Sequence, residues 1–530
     1  MREFLGGAAE GRRLNSWLAP SLGDVLLVAW VAGFCLTGWD ALLADGDTGW
    51  HIRTGERILA TGAVPRADPY SFTKFGEPWF AWEWLSQLVL AAAFRLAGLK
   101  GVVLAAGVLI AGFGLLLVRW MLWRGASPVA ALPVALLALG ASSVHFLARP
   151  HLFTWWLLAI SLWLWERDTL RSDRWVWLLV PLSALWANLH GGFAAWLASL
   201  AALTVAQAVE AALGWRPAPA YAPALRSALI WLACAAATLA NPYGWQLHAH
   251  LVQYLSADWI RDAVLEFRSP VFRTENTFLF ELLLFAGLMA AAALAGRRRL
   301  APAVLILLWA HAALVSARHI PIYVIVAAPV IATELSALWL RLAAPRTVAA
   351  TLERVAADWA SQLGRISVWP AVAVAALAVG PIPVRWPEDF PERRFPVAMV
   401  SRQEQVLQGA PVFAYDEWAD YLIYRLGERA RVFLDGRSDF FGPELVSDYL
   451  AVWSGRHDWE QILERHACGV VLVPASAAIA SLLKLSRNWR LVDDDGQAAL
   501  FVRRAVNAAA DSLLNSAAVS AELPHGVPGP

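Results

Sequence analysis

The sequence predicts a polytopic α-helical membrane protein of about eleven transmembrane helices, followed by a small extracytoplasmic α/β domain at its C-terminal end. Three observations predict it. Of 530 residues, 59% are hydrophobic and only 16% charged, whereas soluble domains run near about 45–50% apolar and about 25% charged. Apolar runs long enough for membrane helices recur over residues 1–384. From residue 385 the apolar runs shorten to strand length, after a proline-rich stretch. The 30 Trp suit a membrane–water interface. A net charge of +1 leaves no basic excess for a nucleic-acid partner. Cys35, Cys234 and Cys468 make neither a disulfide framework nor a zinc spacing.

A helix needs about 20 apolar residues to span a bilayer, fewer where neighbours shield its ends. Such runs lie at 25–43, 101–118, 127–147, 151–165, 175–189, 192–213, 226–240, 277–295, 301–317, 320–340 and 367–384. The first begins after Arg2, Arg12 and Arg13 and lacks a small-residue cleavage site, so it is expected to be an uncleaved helix. Residues 84–97 decide the parity of everything downstream. If they lie flat at the interface, the cytoplasmic connections carry Arg119, Arg124, Arg167, Arg171, Arg174, Arg216, Arg226, the Arg297–Arg299 triplet and Arg341. The short external ones then carry little beyond Arg149 and Arg318, as the positive-inside rule requires. This places the N-terminus inside, and residues 44–100, 241–276 and 385–530 outside. Residues 347–365 have amphipathic helical spacing suited to a membrane surface.

Polar residues collect on the expected outer face. Asp45 and Asp47 follow the first helix, with His51 four residues beyond Asp47 and Glu83 ahead of the flat segment. Carboxylates at a bilayer edge cost desolvation energy unless they bind a cation or do proton chemistry; alternatively, the two aspartates cap the helix they precede. Four tight turns reach the same depth: Arg149-Pro150-His151, Asn188-Leu189-His190, Asn241-Pro242-Tyr243-Gly244 and Arg318-His319. Together they describe a polar cavity with acid/base and cationic groups. Arg149 and Arg318 match a phosphate bidentately, or else anchor to lipid headgroups.

These residues carry a resemblance. The stretch Asp47–Gly62 (DTGWHIRTGERILATG) resembles the acidic start of the first extracytoplasmic loop in the GT-C superfamily of integral-membrane glycosyltransferases, and residues 84–97 resemble the juxtamembrane helix of that loop. The pieces DGDTGWH (pattern DxDTxWH), EWL, RPHLFTWW, WANLHGGF and NPYG resemble those of a poorly characterised bacterial group. The likeness covers about residues 20–340. It implies a GT-C-like membrane domain in the bacterial cytoplasmic (inner) membrane, transferring a sugar from a polyprenyl-phosphate-linked donor to an extracytoplasmic acceptor that is a protein, lipid or glycan. It places Asp47 where the family has the acidic residue that deprotonates the acceptor or holds a metal, with Asp45 as its catalytic companion. The WWDYG signature of oligosaccharyltransferases is absent, which argues against asparagine glycosylation; a second DxD is also missing, with only Glu83 available.

An inverting hexosyl or pentosyl transfer fits these groups. Arg318 and Arg149 would stabilise the departing phosphate, and Asp47 would take the acceptor proton. Asp45, Asp47 and Glu83 would ligate a divalent cation, Mg2+ or Mn2+. His51, Glu83, Arg149, His151, Asn188, His190, Asn241, Arg318 and His319 are the expected substrate-binding set. A transporter or flippase for lipid-linked saccharides is the alternative, or a polymerase or ligase; a transporter would want its charges at mid-membrane depth.

In the C-terminal part, strands are expected at 411–415, 430–435, 469–474, 489–494 and 499–504, with helices near 416–427, 441–453, 458–467 and 475–485. This domain would cap the membrane site or receive the acceptor. Asp435-Gly436-Arg437-Ser438-Asp439 follows a strand, either as a ligand loop or as a polar turn. Residues 505–530 are expected to be a disordered tail.

Overall fold

A computed structural model describes residues 17–343, 346–365, 367–380 and 386–504; the expected tail at 505–530 and the linker prolines Pro381 and Pro383 lie outside the described residues. The chain divides into two compact units. The first comprises residues up to Pro69, Gly76–Phe395 and Gly436–Pro443; the second comprises Tyr70–Phe75, Pro396–Asp435 and the described residues from Glu444 on.

The first unit is helical. Its elements are α1 (Leu22–Ala32), α2 (Asp47–Thr61), α3 (Trp84–Trp123), α4 (Pro128–Ser142), α5 (His151–Arg171), α6 (Leu179–Leu189), α7 (Phe193–Ala212) and α8 (Ala222–Ala237). They are followed by α9 (Trp245–Ser256), α10 (Glu275–Gly296), α11 (Leu300–Val315), α12 (Ile320–Leu342), α13 (Val348–Leu363) and α14 (Trp369–Val379). Among the described residues, five stretches are helical, long and apolar enough to cross a membrane: Trp84–Trp123, Pro128–His145, Phe193–Ala212, Glu275–Gly296 and Ala317–Leu342. Shorter apolar helices cover Leu22–Thr37, Ala222–Ala237, Leu300–Val315 and Trp369–Val379. The protein is therefore a multi-pass membrane protein; among the described residues five stretches meet that length and composition, where the sequence predicts about eleven spans. The expected span 175–189 is only partly α-helical, since Arg174–Leu178 is a 3-10 turn ahead of the 11-residue α6.

Local chemistry explains where these helices start and stop. Ser21 and Asp24 exchange hydrogen bonds at the start of α1, the side chain of each accepting the other's backbone N–H (3.1 and 2.7 Å). Ser127 caps α4, whose first residue is Pro128. The long α3 is broken at Ala97–Gly98, where Gly98 has φ 61° and ψ −151°. A conformation that side-chain-bearing residues avoid ends the 84–96 segment and starts a new direction at Leu99. The break falls where the sequence separates its flat segment from the next apolar run.

In the second unit, β1 (Val412–Ala414), β2 (Val470–Pro474), β3 (Trp489–Asp494) and β4 (Ala498–Arg503) form one sheet in the order β1-β2-β4-β3. The β1–β2 pair is parallel, and β4 runs antiparallel to both β2 and β3. The helices α15 (Asp416–Leu426), α17 (Trp459–Arg465) and α18 (Ala478–Leu485) intervene, with α16 (Pro443–Trp453) leading into the unit. The expected strand at 430–435 is a correction. Only isolated bridges form there, from Val432 to Val412 and to Ser71, so the segment satisfies its backbone in two directions without building a ladder.

Candidate active site

Helix α2 carries the first part of the site. Asp45 Oδ1 accepts the backbone N–H of Asp47 (2.8 Å), the first residue of the helix, whose N-cap is Gly46. The helix ends at Gly62, whose φ of 68° and N–H to the Ile58 carbonyl (2.8 Å) make a left-handed cap. It lies directly against α3. A Cβ on Gly55 would collide with the backbone carbonyl of Gln87, so nothing larger than hydrogen fits there. Gly55→Ala is expected to lower the melting midpoint and to cost about 1–3 kcal/mol, the usual range for overpacking; a chemical-denaturation curve in detergent checks it.

The turn before α5 brings in Arg149. Its position is set by neighbours on both sides: Ala148 N–H donates to the Leu42 carbonyl (2.9 Å), and the Thr48 hydroxyl donates to the Ala148 carbonyl (3.2 Å). The guanidinium then meets three carboxylates. Nη1 lies 2.8 Å from Asp45 Oδ2 and 2.9 Å from Glu266 Oε1, and Nη2 lies 2.5 Å from Asp47 Oδ2. The second oxygen of Asp47 accepts from Trp50 Nε1 (3.0 Å).

Burial pushes the Asp47 carboxyl up to about 7; Arg149 opposes that rise, and Asp45 adds to it by repulsion. Burial also works against the charge on Arg149, but Asp45, Asp47 and Glu266 outweigh it and hold its pKa well above the usual value. For Glu266, burial is outweighed by Arg149, which keeps the carboxyl well below the ordinary range.

Glu83, just ahead of α3, is held differently. Its carboxyl faces His51 Nε2 (3.7 Å) and His190 Nε2 (3.4 Å) and has no arginine within ion-pairing distance among the described residues. His190 Nδ1 accepts from Gly192 N–H (2.9 Å) and pairs with the Thr154 hydroxyl (2.8 Å), which itself accepts from Trp186 Nε1 (2.9 Å). That chain leaves the single imidazole proton on Nε2, toward Glu83. Burial, reinforced by Arg318 and Arg149, lowers His190 to about 3, so the ring is neutral. Burial likewise lowers His51, which packs on Trp50. For Glu83, burial raises the carboxyl to about 8.

These shifts have a consequence for stability. Asp47 and Glu83 bind protons more tightly folded than unfolded, so their stabilising contribution is complete below their unfolded values and is lost as pH rises through about 7 and about 8. The melting midpoint is expected to fall between pH 5 and pH 8.5, and Glu83→Gln is expected to flatten that slope; a pH series of thermal melts on both proteins checks it.

A cavity of about 360 Å3 collects these groups, a volume in the range of small-molecule sites. Asp47, His51, Glu83, Arg149, His151, His190, Arg318 and His319 line it, as the sequence grouped them. His151 Nε2 lies 2.8 Å from the His145 carbonyl, and His319 Nδ1 lies 3.2 Å from that of Ala312. Arg318 sits over the Phe267 ring, 4.3 Å from its centroid, 3.5 Å from the Tyr254 hydroxyl, and with no carboxylate within ion-pairing distance among the described residues.

Asn188 and Asn241 stand apart from the cavity lining. The Asn188 carboxamide accepts from Trp84 Nε1 (2.8 Å) and donates to the Ala184 and Ala240 carbonyls (both 2.8 Å). Asn241 donates to the Thr238 and Gly244 carbonyls (2.8 and 3.1 Å) and accepts from Tyr243 N–H (2.8 Å). Both amides tie turns together, which corrects their expected place among substrate-binding groups. Nor are Asp45, Asp47 and Glu83 gathered into a metal site: Arg149 takes the two aspartates, and Glu83 faces two histidines. Among the described residues no three His, Cys, Asp or Glu side chains converge in that way.

The structure also adds residues that the sequence reading left aside. Glu266, His145 and Tyr254 line the cavity without belonging to any of the four turns. Gly436–Asp439 lines it too, with Asp439 Oδ2 2.7 Å from His250 Nε2 and Arg437 paired to Asp68 at 2.7 Å. The ligand-loop alternative for 435–439 was the available signal.

No protein-family model matches the chain, and no curated protein matches it significantly. Solved structures do. The oligosaccharyltransferase AglB from Archaeoglobus fulgidus, in complex with an inhibitory peptide and a dolichol-phosphate, is 12% identical over 91% of this chain and 74% of its own, with a TM-score of 0.57. The Archaeoglobus fulgidus oligosaccharyltransferase in complex with Zn and sulfate is 12% identical over 85% and 67%, with a TM-score of 0.54. ArnT from Cupriavidus metallidurans in the apo state is 14% identical over 90% and 97%, with a TM-score of 0.50. An architecture matched over nine-tenths of the chain at such low identity is a likeness of fold.

Proposed function

We propose that this protein is a membrane glycosyltransferase that moves a sugar from a polyprenyl-phosphate-linked donor to an extracytoplasmic acceptor, in the bacterial cytoplasmic membrane. The observation that carries the reading is one cavity, in a fold like that of AglB and ArnT, lined by the buried Asp47 carboxyl with its pKa raised to about 7, the Glu83 carboxyl raised to about 8, and Arg318, which has no carboxylate within ion-pairing distance among the described residues. The dolichol-phosphate held by the AglB structure supports the donor class.

Transfer proceeds with inversion. The acceptor O–H or N–H attacks the anomeric carbon as the bond from that carbon to the phosphate oxygen breaks on the opposite face. Asp47 takes the acceptor's proton, since a base with a pKa near the working pH is the most effective. The electron pair of the broken bond goes to the phosphate, whose growing charge Arg318 stabilises. Glu83, protonated between His51 and His190, donates to a sugar hydroxyl. A divalent cation, Mg2+ or Mn2+, would have to displace Arg149 before Asp45 and Asp47 could hold it, so no step is routed through one.

The pH profile follows from these roles. kcat/KM is expected to rise as Asp47 loses its proton near pH 7 and to fall as Glu83 loses its own near pH 8, and Glu83→Gln is expected to remove only the alkaline limb. The deciding experiment incubates purified wild type with a panel of polyprenyl-phosphate sugars and candidate acceptors. Transfer of one sugar is expected. If none is transferred but the lipids move between leaflets of a liposome, the protein is a transporter instead.

A further inference from the structure

The first unit contains a second cavity, of about 420 Å3, at the other end of the helices that line the first. On α12 the first cavity reaches Ile322 and the second begins at Val326; on α11 they reach Trp309 and Leu305. The two are therefore separated by about one helical turn. The floor of the second cavity is apolar, built by Leu162, Leu203, Leu305 and Val330. Its rim is arginine. Arg124 is answered by Glu166, Arg216 by Glu210, and Arg297 by Glu334 at 2.6 Å. Glu210 is committed twice, because its Oε1 also accepts the backbone N–H groups of Leu300 and Ala301 (2.5 and 2.9 Å) at the start of α11. It has no capacity left for a further cation. Arg298 and Arg299 line the same rim, exposed and with no carboxylate within ion-pairing distance among the described residues.

Two uncompensated guanidinium groups above an apolar floor demand an amphiphile. The ligand must bring negative charge to the rim and hydrocarbon to the floor. A soluble anion satisfies only the first demand. Trp165 and Trp215, beside the arginines, are the side chains that settle at the headgroup level of a bilayer. Basic pockets between membrane helices are suited to anionic lipid headgroups. We propose that this cavity binds an anionic lipid, its phosphate held by Arg298 and Arg299 and its chain lying against Leu162, Leu203, Leu305 and Val330. The site is separate from the cavity assigned to catalysis, and the proposal stands whether or not the protein transfers sugars.

The test uses the full chain in detergent and counts retained lipid by native mass spectrometry, with phosphatidylglycerol as probe, phosphatidylcholine as the neutral comparison and inorganic phosphate as competitor. Phosphatidylglycerol is expected to bind in preference. Each of Arg298→Ala and Arg299→Ala is expected to weaken it by about fivefold, and the pair by about thirtyfold. Arg318→Ala, in the other cavity, is expected to leave this binding unchanged. Melting curves establish that the rim variants fold, since neither arginine has an ion pair to lose among the described residues. Equal binding of phosphatidylcholine, undiminished binding to the double variant, or displacement by millimolar inorganic phosphate overturns the proposal; the last would mean that the arginines take a soluble anion.

Discussion

Asp47→Asn is expected to abolish sugar transfer, lowering kcat by about 10²–10⁴-fold while the donor lipid still binds. The amide keeps the shape of the carboxyl and can still accept from Trp50 Nε1, so α2 retains its start. What it loses is the ability to take a proton and, with an amide NH2 in place of Oδ2, its pairing with Arg149. The comparison that separates these losses is Asp45→Asn, which also weakens the Arg149 node but leaves Asp47 ionisable. That variant is expected to lose far less activity. Steady-state transfer rates alongside donor-binding measurements decide the matter. If Asp47→Asn retains more than about a tenth of wild-type kcat, the proton goes elsewhere, and Glu83 is the next carboxyl in the cavity.

Arg149→Leu is expected to be the most destabilising single change in the site, at about 3–5 kcal/mol, because it strips the counter-charge from buried carboxylates. Among the described residues Arg149 alone pairs with Asp45, Asp47 and Glu266, and its side chain is only 22% exposed. Without it the pKa values of Asp47 and Glu266, both lowered by Arg149, move up. A raised folded-state pKa gives stability that is lost as pH rises, so the variant is expected to recover at acidic pH and to fail most at alkaline pH. Arg149→Lys should fall between the two, since an ammonium is a point charge that cannot fork across three carboxylates. Combining Arg149→Leu with Asp47→Asn is expected to restore part of the loss, which a double-mutant cycle on melting free energies reads directly. Simple additivity would mean that the two residues do not act as a pair.

Much of the local architecture was legible in residue order. The acidic start and Gly62 bracket α2, and Gly98 marks the break in α3. Four of the five expected C-terminal strands lie within a residue or two of where alternation put them. The segment at 430–435 had the same apolar run but pairs only at Val432, because a strand needs a partner along its length and periodicity says nothing about partners. The site divides in the same way. His51, His151, His190, Arg318 and His319 gather as their shared place at helix ends suggested, whereas Asn241 bonds within its own turn and Asn188 bonds Trp84 and the Ala184 and Ala240 carbonyls.

The sequence by itself determined that this chain is a multi-pass membrane protein and which helix ends present its polar turns, because apolar length, glycine breaks and capping residues act over a few neighbouring positions. Only the tertiary structure decided which of those groups meet. Arg149 reaches Asp45 across 104 residues and Glu266 across 117, and His250 reaches Asp439 across 189. No local pattern selects such partners. They are chosen when packing buries the groups, for only then does an unpaired charge become too costly to leave alone.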